Sequence, residues 1–295
     1  MKQINITGLF ILLVFGMFII VSCKKHPENT QTDYNRELQA VNSYMYPQQF
    51  TNQFMLSFFK SLYDSSLING EIITLDSAKT IMKNENDTLT IQMEYWSDDI
   101  NLWHHIDSYR HFRCGTYRFV ADSLFLQSDT GSVTIEVVKP FYYDSLTVNI
   151  ENIKIAKTGK TDGNQTFRVL FENMVMDGTY AGKFTWKFNA DFTYVLYKDE
   201  TTPYLSPDDY YLFSGTMSGN TPVDIGYGIK ISPDTSRYKI NYNCFYTIEG
   251  KSVLEMHGVG INNNVSYIDF IKEDGCNNQY EVTFPEQMTT KGSIE

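Results

Sequence analysis

Blocks of basic charge are missing from this 295-residue chain: 24 Lys and Arg are scattered against 35 Asp and Glu, a formal net charge of −11. Nucleic-acid binding depends on neutralising phosphates with clustered cations, so nucleic acid is not an expected partner. Helical runs long enough to cross over between parallel strands are also scarce, which sets aside an α/β sheet. There is no Gly-x-Ser-x-Gly elbow, phosphate loop or dinucleotide fingerprint, and no fixed-period repeat. Cysteines number four and histidines five. The densest group of metal-ligand types, His104, His105, Asp107 and His111, matches no familiar spacing, and adjacent histidines on a strand point to opposite faces. No metal, no cofactor and no catalytic residue is assigned.

Long apolar runs are limited to one, Ile6 to Val21, preceded by Lys2 and followed by Ser22-Cys23-Lys24-Lys25. Its length would allow a transmembrane anchor. A basic start, an apolar core and small residues before a cleavage point fit an export signal better. Ile20-Val21-Ser22-Cys23 resembles a bacterial lipobox, in which the cysteine becomes the first residue of the mature chain and carries lipid. The expected organisation is a signal peptide over 1–22, lipid on Cys23 and a tether over 23–32. A helical segment over 33–68 and a β domain over 69–295 follow, the latter divisible into two lobes near 200–208. The resemblance implies outer-membrane localisation through the N-terminal lipid. Lys24-Lys25 lacks the acidic run of a surface-export signal, which tilts the reading toward the periplasmic face without excluding the cell surface.

Asp33 can cap a short helix through Leu38 and Val41. Pro47 suits the first turn of a second helix, in which Phe50, Phe54, Phe58 and Leu62 recur every four residues. Such a stripe is expected to pack on the protein's own sheet. Beyond Asn69-Gly70 the period changes to two. Leu89, Ile91, Met93 and Tyr95 alternate with polar residues, as do Val133, Ile135 and Val137, and Phe184 through Leu196. Further strands are expected at 146–156, 167–176, 210–217, 225–231, 238–248, 252–256, 265–271 and 280–284. Turn residues separate them, such as Asp162-Gly163-Asn164 and Asp274-Gly275. The fold class is therefore mainly β: an antiparallel meander closing as a sandwich or partly open barrel, with a short N-terminal helical segment.

Toward the C-terminus, FSGTMSGN at 213–220 is followed by GYGIKI at 226–231, CFYTIEG at 244–250 and YIDFIKEDGCNNQYEVTF at 267–284. Over about the last ninety residues this order resembles a group of uncharacterised β-rich lipoproteins of Bacteroidota. The resemblance implies an exported, lipid-anchored β protein and carries no activity. Asn277 stands where that pattern has an aspartate, which weakens any cation-holding role for the corner. Both Cys244 and Cys276 lie in the resembling region, and thiols tend to pair in an oxidising compartment. A bridge between them is expected, closing a loop of about 33 residues and contributing about 3 to 4 kcal/mol. Two buried free thiols are the alternative, and Cys114 is the odd one out.

With 21 Tyr, 20 Phe and 3 Trp the chain is rich in aromatics. Trp96, Trp103, Tyr142, Tyr143, Tyr210 and Tyr211 are candidates for exposed positions at strand ends, where such rings stack on sugars or mark protein contacts. Tyrosine is also simply a good strand former with a polar tip. The expected function is a binding or structural/interaction module, with a glycan or an envelope protein as partner; the alternative is a hydrolase acting on envelope or dietary glycans. Asp122-Ser123-Leu124 and similar triplets resemble a short O-glycosylation acceptor of that phylum.

Overall fold

The computed structural model describes residues 35–63, 73–75, 78–85, 88–96, 112–143, 146–178, 184–199, 201–202, 205–222, 224–234, 236–242, 244, 246–261, 265–271, 279–284 and 289–293. Residues 34–295 form one compact unit. A long helix, α1 (Asn35–Tyr63), precedes the strands β1 (Ile73–Leu75), β2 (Ala78–Glu85), β3 (Thr88–Trp96) and β4 (Phe112–Asp122). A one-turn helix, α2 (Ser123–Gln127), leads into β5 (Thr130–Tyr143), β6 (Leu146–Thr161), β7 (Asn164–Gly178) and β8 (Phe184–Tyr197). Then come β9 (Tyr210–Asn220), β10 (Gly226–Ile231), β11 (Tyr238–Asn241), β12 (Gly250–His257), β13 (Val265–Phe270), β14 (Gln279–Thr283) and β15 (Thr289–Ser293). The protein is mainly β, and all fifteen strands belong to one antiparallel sheet running in chain order from β1 to β15, with β11 paired to β9. Among the described residues β1 and β15 are its two free ends, so it is an open barrel wall rather than two stacked sheets.

What the wall encloses is α1. Every residue from Gln48 to Leu62 is buried, whichever way it points around the helix. Phe50 meets Phe141 of β5, Phe54 meets Tyr117 of β4 and Phe171 of β7, Phe58 meets Phe119, and Phe59 meets Phe167 and Tyr211. On another side Tyr44 packs edge-on against Tyr227 of β10. Removing each of these rings from water stabilises the fold by about 1.5 to 3 kcal/mol. The Phe stripe therefore packs on the protein's own sheet. The expectation of two helices is corrected: α1 is continuous and Pro47 lies inside it, buried. A proline there removes one main-chain hydrogen bond; packing on all sides holds the helix together across that gap. Among the described residues no helix is long and apolar enough to cross a membrane.

Along the strands buried residues alternate with exposed ones, and the outer face carries cross-strand ion pairs such as Arg118 with Glu136 and Arg168 with Asp191 (2.7 Å). The alternation slips at bulges. Buried Phe171 is followed by buried Met174, and Asn173 between them adopts a φ of 51° while its N–H donates to Asn189 Oδ1 at 2.7 Å. Such an extra residue bends a strand and lets the sheet curl. Curling is also built into β9, where Gly215 and Gly219 stand opposite Phe192 and Phe188 of β8. A Cβ at Gly219 would lie 2.2 Å from the Lys187 carbonyl oxygen, so a bare backbone is required there. Asp122 has a further local role, since its Oδ1 accepts the Phe125 N–H at 2.7 Å and caps α2. Lys157 closes the other end of α2 by donating to the carbonyls of Phe125 (2.5 Å) and Ser128 (3.3 Å), and burial lowers its pKa.

The expected strand over 238–248 is cut short. β11 ends at Asn241, and the following segment dips inward: Cys244, Tyr246, Thr247 and Ile248 are all buried. Thr247 Oγ1 accepts hydrogen bonds from Gln48 Nε2 (2.7 Å) and Asn52 Nδ2 (3.4 Å) of α1. The segment is a strap from the sheet to the polar side of the helix, which extended pairing with β9 would have kept away from it.

Candidate functional site

With α1 filling the interior, described residues line an open depression of about 820 Å³ on the outer surface. It arises where β9 changes partner. Tyr210 to Phe213 pair with β11, whereas Gly215 to Asn220 pair with β10, and Pro233, Asp234, Ser236 and Arg237 from between those two strands form a rim of the depression. Gly250 makes that possible. Its φ is 126°, and a Cβ there would meet the Arg237 carbonyl oxygen at 2.4 Å and the Tyr238 ring at 2.8 Å. Lys251 N–H donates to Ser236 O at 3.1 Å and ties the rim to β12.

Tyr210, Leu212, Pro233, Phe270 and Ile271 supply the apolar part of the lining. Tyr210 stacks on Tyr197 of β8, with ring centroids 4.8 Å apart and planes 8° from parallel. Lys239 Nζ sits 4.2 Å from the same ring's centre. Since β8 and β11 flank β9 on opposite sides, Tyr197 and Lys239 cover opposite faces of the ring, and Tyr210 offers a ligand its edge and hydroxyl. Burial, aided by the neighbouring Tyr197, raises the pKa of that hydroxyl. The floor is a cross-strand row in which Lys251 faces Asp269, Asp269 faces Glu281 and Glu281 faces Lys291. Its outer members neutralise its inner ones, with Lys251 to Asp269 at 2.5 Å and Lys291 to Glu281 at 3.2 Å. Arg237 differs: its Nε donates to Pro233 O at 2.5 Å, a bond that fixes the guanidinium on the rim.

Of the sequence-derived candidates whose side chains are described, Tyr210 is placed in this depression and Tyr211 is not. Tyr211 is a correction: it is 2 % exposed, packs on Phe59 and Tyr194, and donates its hydroxyl to Asn52 O at 3.2 Å. Neighbours on a strand point to opposite faces, so the pair Tyr210-Tyr211 could contribute only one outward ring. Trp96 ends β3 with its backbone opposite Cys114, and Tyr142 and Tyr143 sit in β5 opposite Thr147 and Leu146; their side chains lie outside the described residues. Trp103, Cys23, Cys276 and the cluster His104, His105 and His111 also lie outside them. Cys244 is buried and disulfide-bonded; its expected partner Cys276 falls in the segment 272–278, outside the described residues. The flanking strands of that corner do form the expected hairpin, Phe270 opposite Tyr280.

Arg237, Lys239 and Tyr197 were missed by the sequence reading. The signal available for Lys239 was the alternation of Tyr238-Lys239-Ile240, which places it outward. Nothing in sequence placed Tyr197 against Tyr210, because their contact depends on the register of β8 with β9. Elsewhere, burial raises Tyr44, Tyr194, Tyr211, Tyr227 and Tyr238 well above the ordinary phenol value. No family model matches the chain, and neither the curated proteins nor the solved structures contain a match.

Proposed function

We propose that this chain is a lipid-anchored cell-envelope protein that acts by binding, with a glycan held in the outer-face depression. Cys23 would carry the lipid and 24–32 would serve as the tether to the outer membrane. One observation carries the binding reading: an open depression of about 820 Å³ combines the edge of Tyr210 and the side chain of Leu212 with a dense set of polar side chains. Sugars ask for that combination, a small apolar contact surrounded by hydrogen-bonding groups. The site's openness suits one stretch of a longer polymer. An interior cargo is less well supported, since α1 fills the barrel.

The test is a glycan-array screen of the soluble chain starting after Cys23, followed by titration of each hit with the Tyr210→Ala variant. Binding that weakens in the variant supports the reading, and no binding to any glycan removes it. Release of new reducing ends from a bound glycan would instead favour the hydrolase alternative.

A further inference from the structure

We propose that the ligand of the depression is an acidic saccharide, one carrying a carboxylate on the sugar, and that Arg237 and Lys239 hold that carboxylate. This inference rests on the glycan reading above. Its ground is the uneven way in which the site's charges are satisfied. Four cations line the depression, Arg237, Lys239, Lys251 and Lys291, with four carboxylates, Asp234, Glu249, Asp269 and Glu281. Lys251 and Lys291 are committed to Asp269 and Glu281. Arg237 and Lys239 are not: the guanidinium donates to a backbone carbonyl, and the ammonium lies over the Tyr210 ring. Among the described residues neither reaches a carboxylate at ion-pair distance.

These two cations are two residues apart on an extended segment and so share its outward face. Each is also held in place. Arg237 is anchored through Nε to Pro233 O, which leaves its terminal nitrogens for a two-point bond to a carboxylate. Lys239 is steered by the Tyr210 ring, whose other face is occupied by Tyr197. The chain's excess of acidic residues would repel a polyanion at long range. Lining cations and carboxylates are equal in number, so selection rests on local geometry rather than on a net positive field: Arg237 and Lys239 share one outward face and each can meet a sugar carboxylate directly. Of the opposing carboxylates, exposed Asp234 stands on the rim and Glu249 pairs through the backbone with Lys239; Asp269 and Glu281 are already neutralised by their lysines.

The experiment uses calorimetric titration of the soluble chain with oligogalacturonate and oligoalginate, each against its carboxyl-reduced, uncharged form. Lys239→Gln and Arg237→Gln are compared with wild type, with Lys154→Gln on another outer strand as the charge control and thermal melts to confirm folding. The expected result is preference for an acidic oligomer, weakened by salt. Either site substitution should reduce it about tenfold or more, the scale of losing one charge-assisted hydrogen bond, while the control leaves it unchanged. Equal binding of acidic and reduced forms overturns the acidic preference and leaves the glycan reading standing. An acidic preference that survives both site substitutions overturns the assignment of Arg237 and Lys239. Failure to bind these and every arrayed glycan overturns both readings.

Discussion

Gln48 Nε2 donates to Thr247 Oγ1 at 2.7 Å across 199 residues of chain, joining the polar side of the enclosed helix to the strap that follows β11. This bond has few substitutes nearby. Gln48 and Thr247 are each 2 % exposed, and Asn52 reaches the same hydroxyl at 3.4 Å. Two amide donors thus converge on one oxygen inside the barrel. Thr247→Val keeps the shape and removes the acceptor, leaving buried donors without it, and such a loss costs about 1 to 3 kcal/mol. Thermal and urea unfolding should show Thr247→Val destabilised by that amount and Thr247→Ser close to wild type. Equal stability of all three would mean that the strap does not hold α1.

Gly219 makes a second expectation. An alanine methyl there would lie 2.2 Å from Lys187 O and 2.9 Å from the Phe188 Cβ, so β8 and β9 would have to separate. Gly219→Ala should lose about 2 to 3 kcal/mol. Gly228→Ala, where a Cβ meets nothing within 4 Å, should change little. Chemical unfolding of the two side by side distinguishes a close strand approach from a general intolerance of side chains in this part of the wall.

Much of this wall was readable in the sequence, because an antiparallel sheet with one wet face leaves a period-two record. Phe184 to Leu196 is the clearest case, and all six inward positions from Trp186 to Leu196 are buried. What failed did so for identifiable reasons. Pro47 reads as a helix start because a proline in a helix interior is costly; enclosure by the sheet, a tertiary effect, lets one helix run through it. The strap was read as strand because Tyr246 and Ile248 keep the alternation of Tyr238 and Ile240, and sequence does not show that Thr247 is needed at the helix. The site was legible only at Tyr210. Arg237 and Lys239 matter through what they fail to pair with, and pairing across strands is set by register rather than by local pattern.

Cys244 is disulfide-bonded in the strap, so the identity of its partner decides how the strap is tethered. The expected partner is Cys276. Mass spectrometry of peptides from the unreduced chain should recover one linking the two; Cys244 linked to Cys114 would overturn that pairing. Reduction should lower stability by about 3 to 4 kcal/mol by the chain-entropy account. If the strap also holds α1 through Thr247, the loss in Thr247→Val on top of reduction should be less than additive, since both act on one segment.

Alkaline pH provides the broadest test of the enclosed helix. Tyr44, Tyr194, Tyr211, Tyr227 and Tyr238 are buried around it, and burial raises each pKa above the ordinary phenol value; Tyr63 at the helix end is pushed up to about 12, with Asp129 contributing. In the unfolded chain tyrosine ionises near pH 10. Above that pH the unfolded state holds fewer protons than the folded one, so stability falls as pH rises. The contribution is fully present below about pH 10, and each pH unit beyond costs about 1.4 kcal/mol per buried phenol. Lys157, whose pKa burial lowers, shifts stability the opposite way just below its unfolded value, but it is one group against several. Phenolate absorbance followed with circular dichroism should therefore rise in two phases. Solvent-exposed phenols ionise first, near the ordinary value and with the fold intact. The buried set should appear only with loss of the sheet signal, in one cooperative step. Ionisation of the whole set while the sheet signal persists would show that water reaches α1 in the folded protein, and the enclosure described here would be wrong.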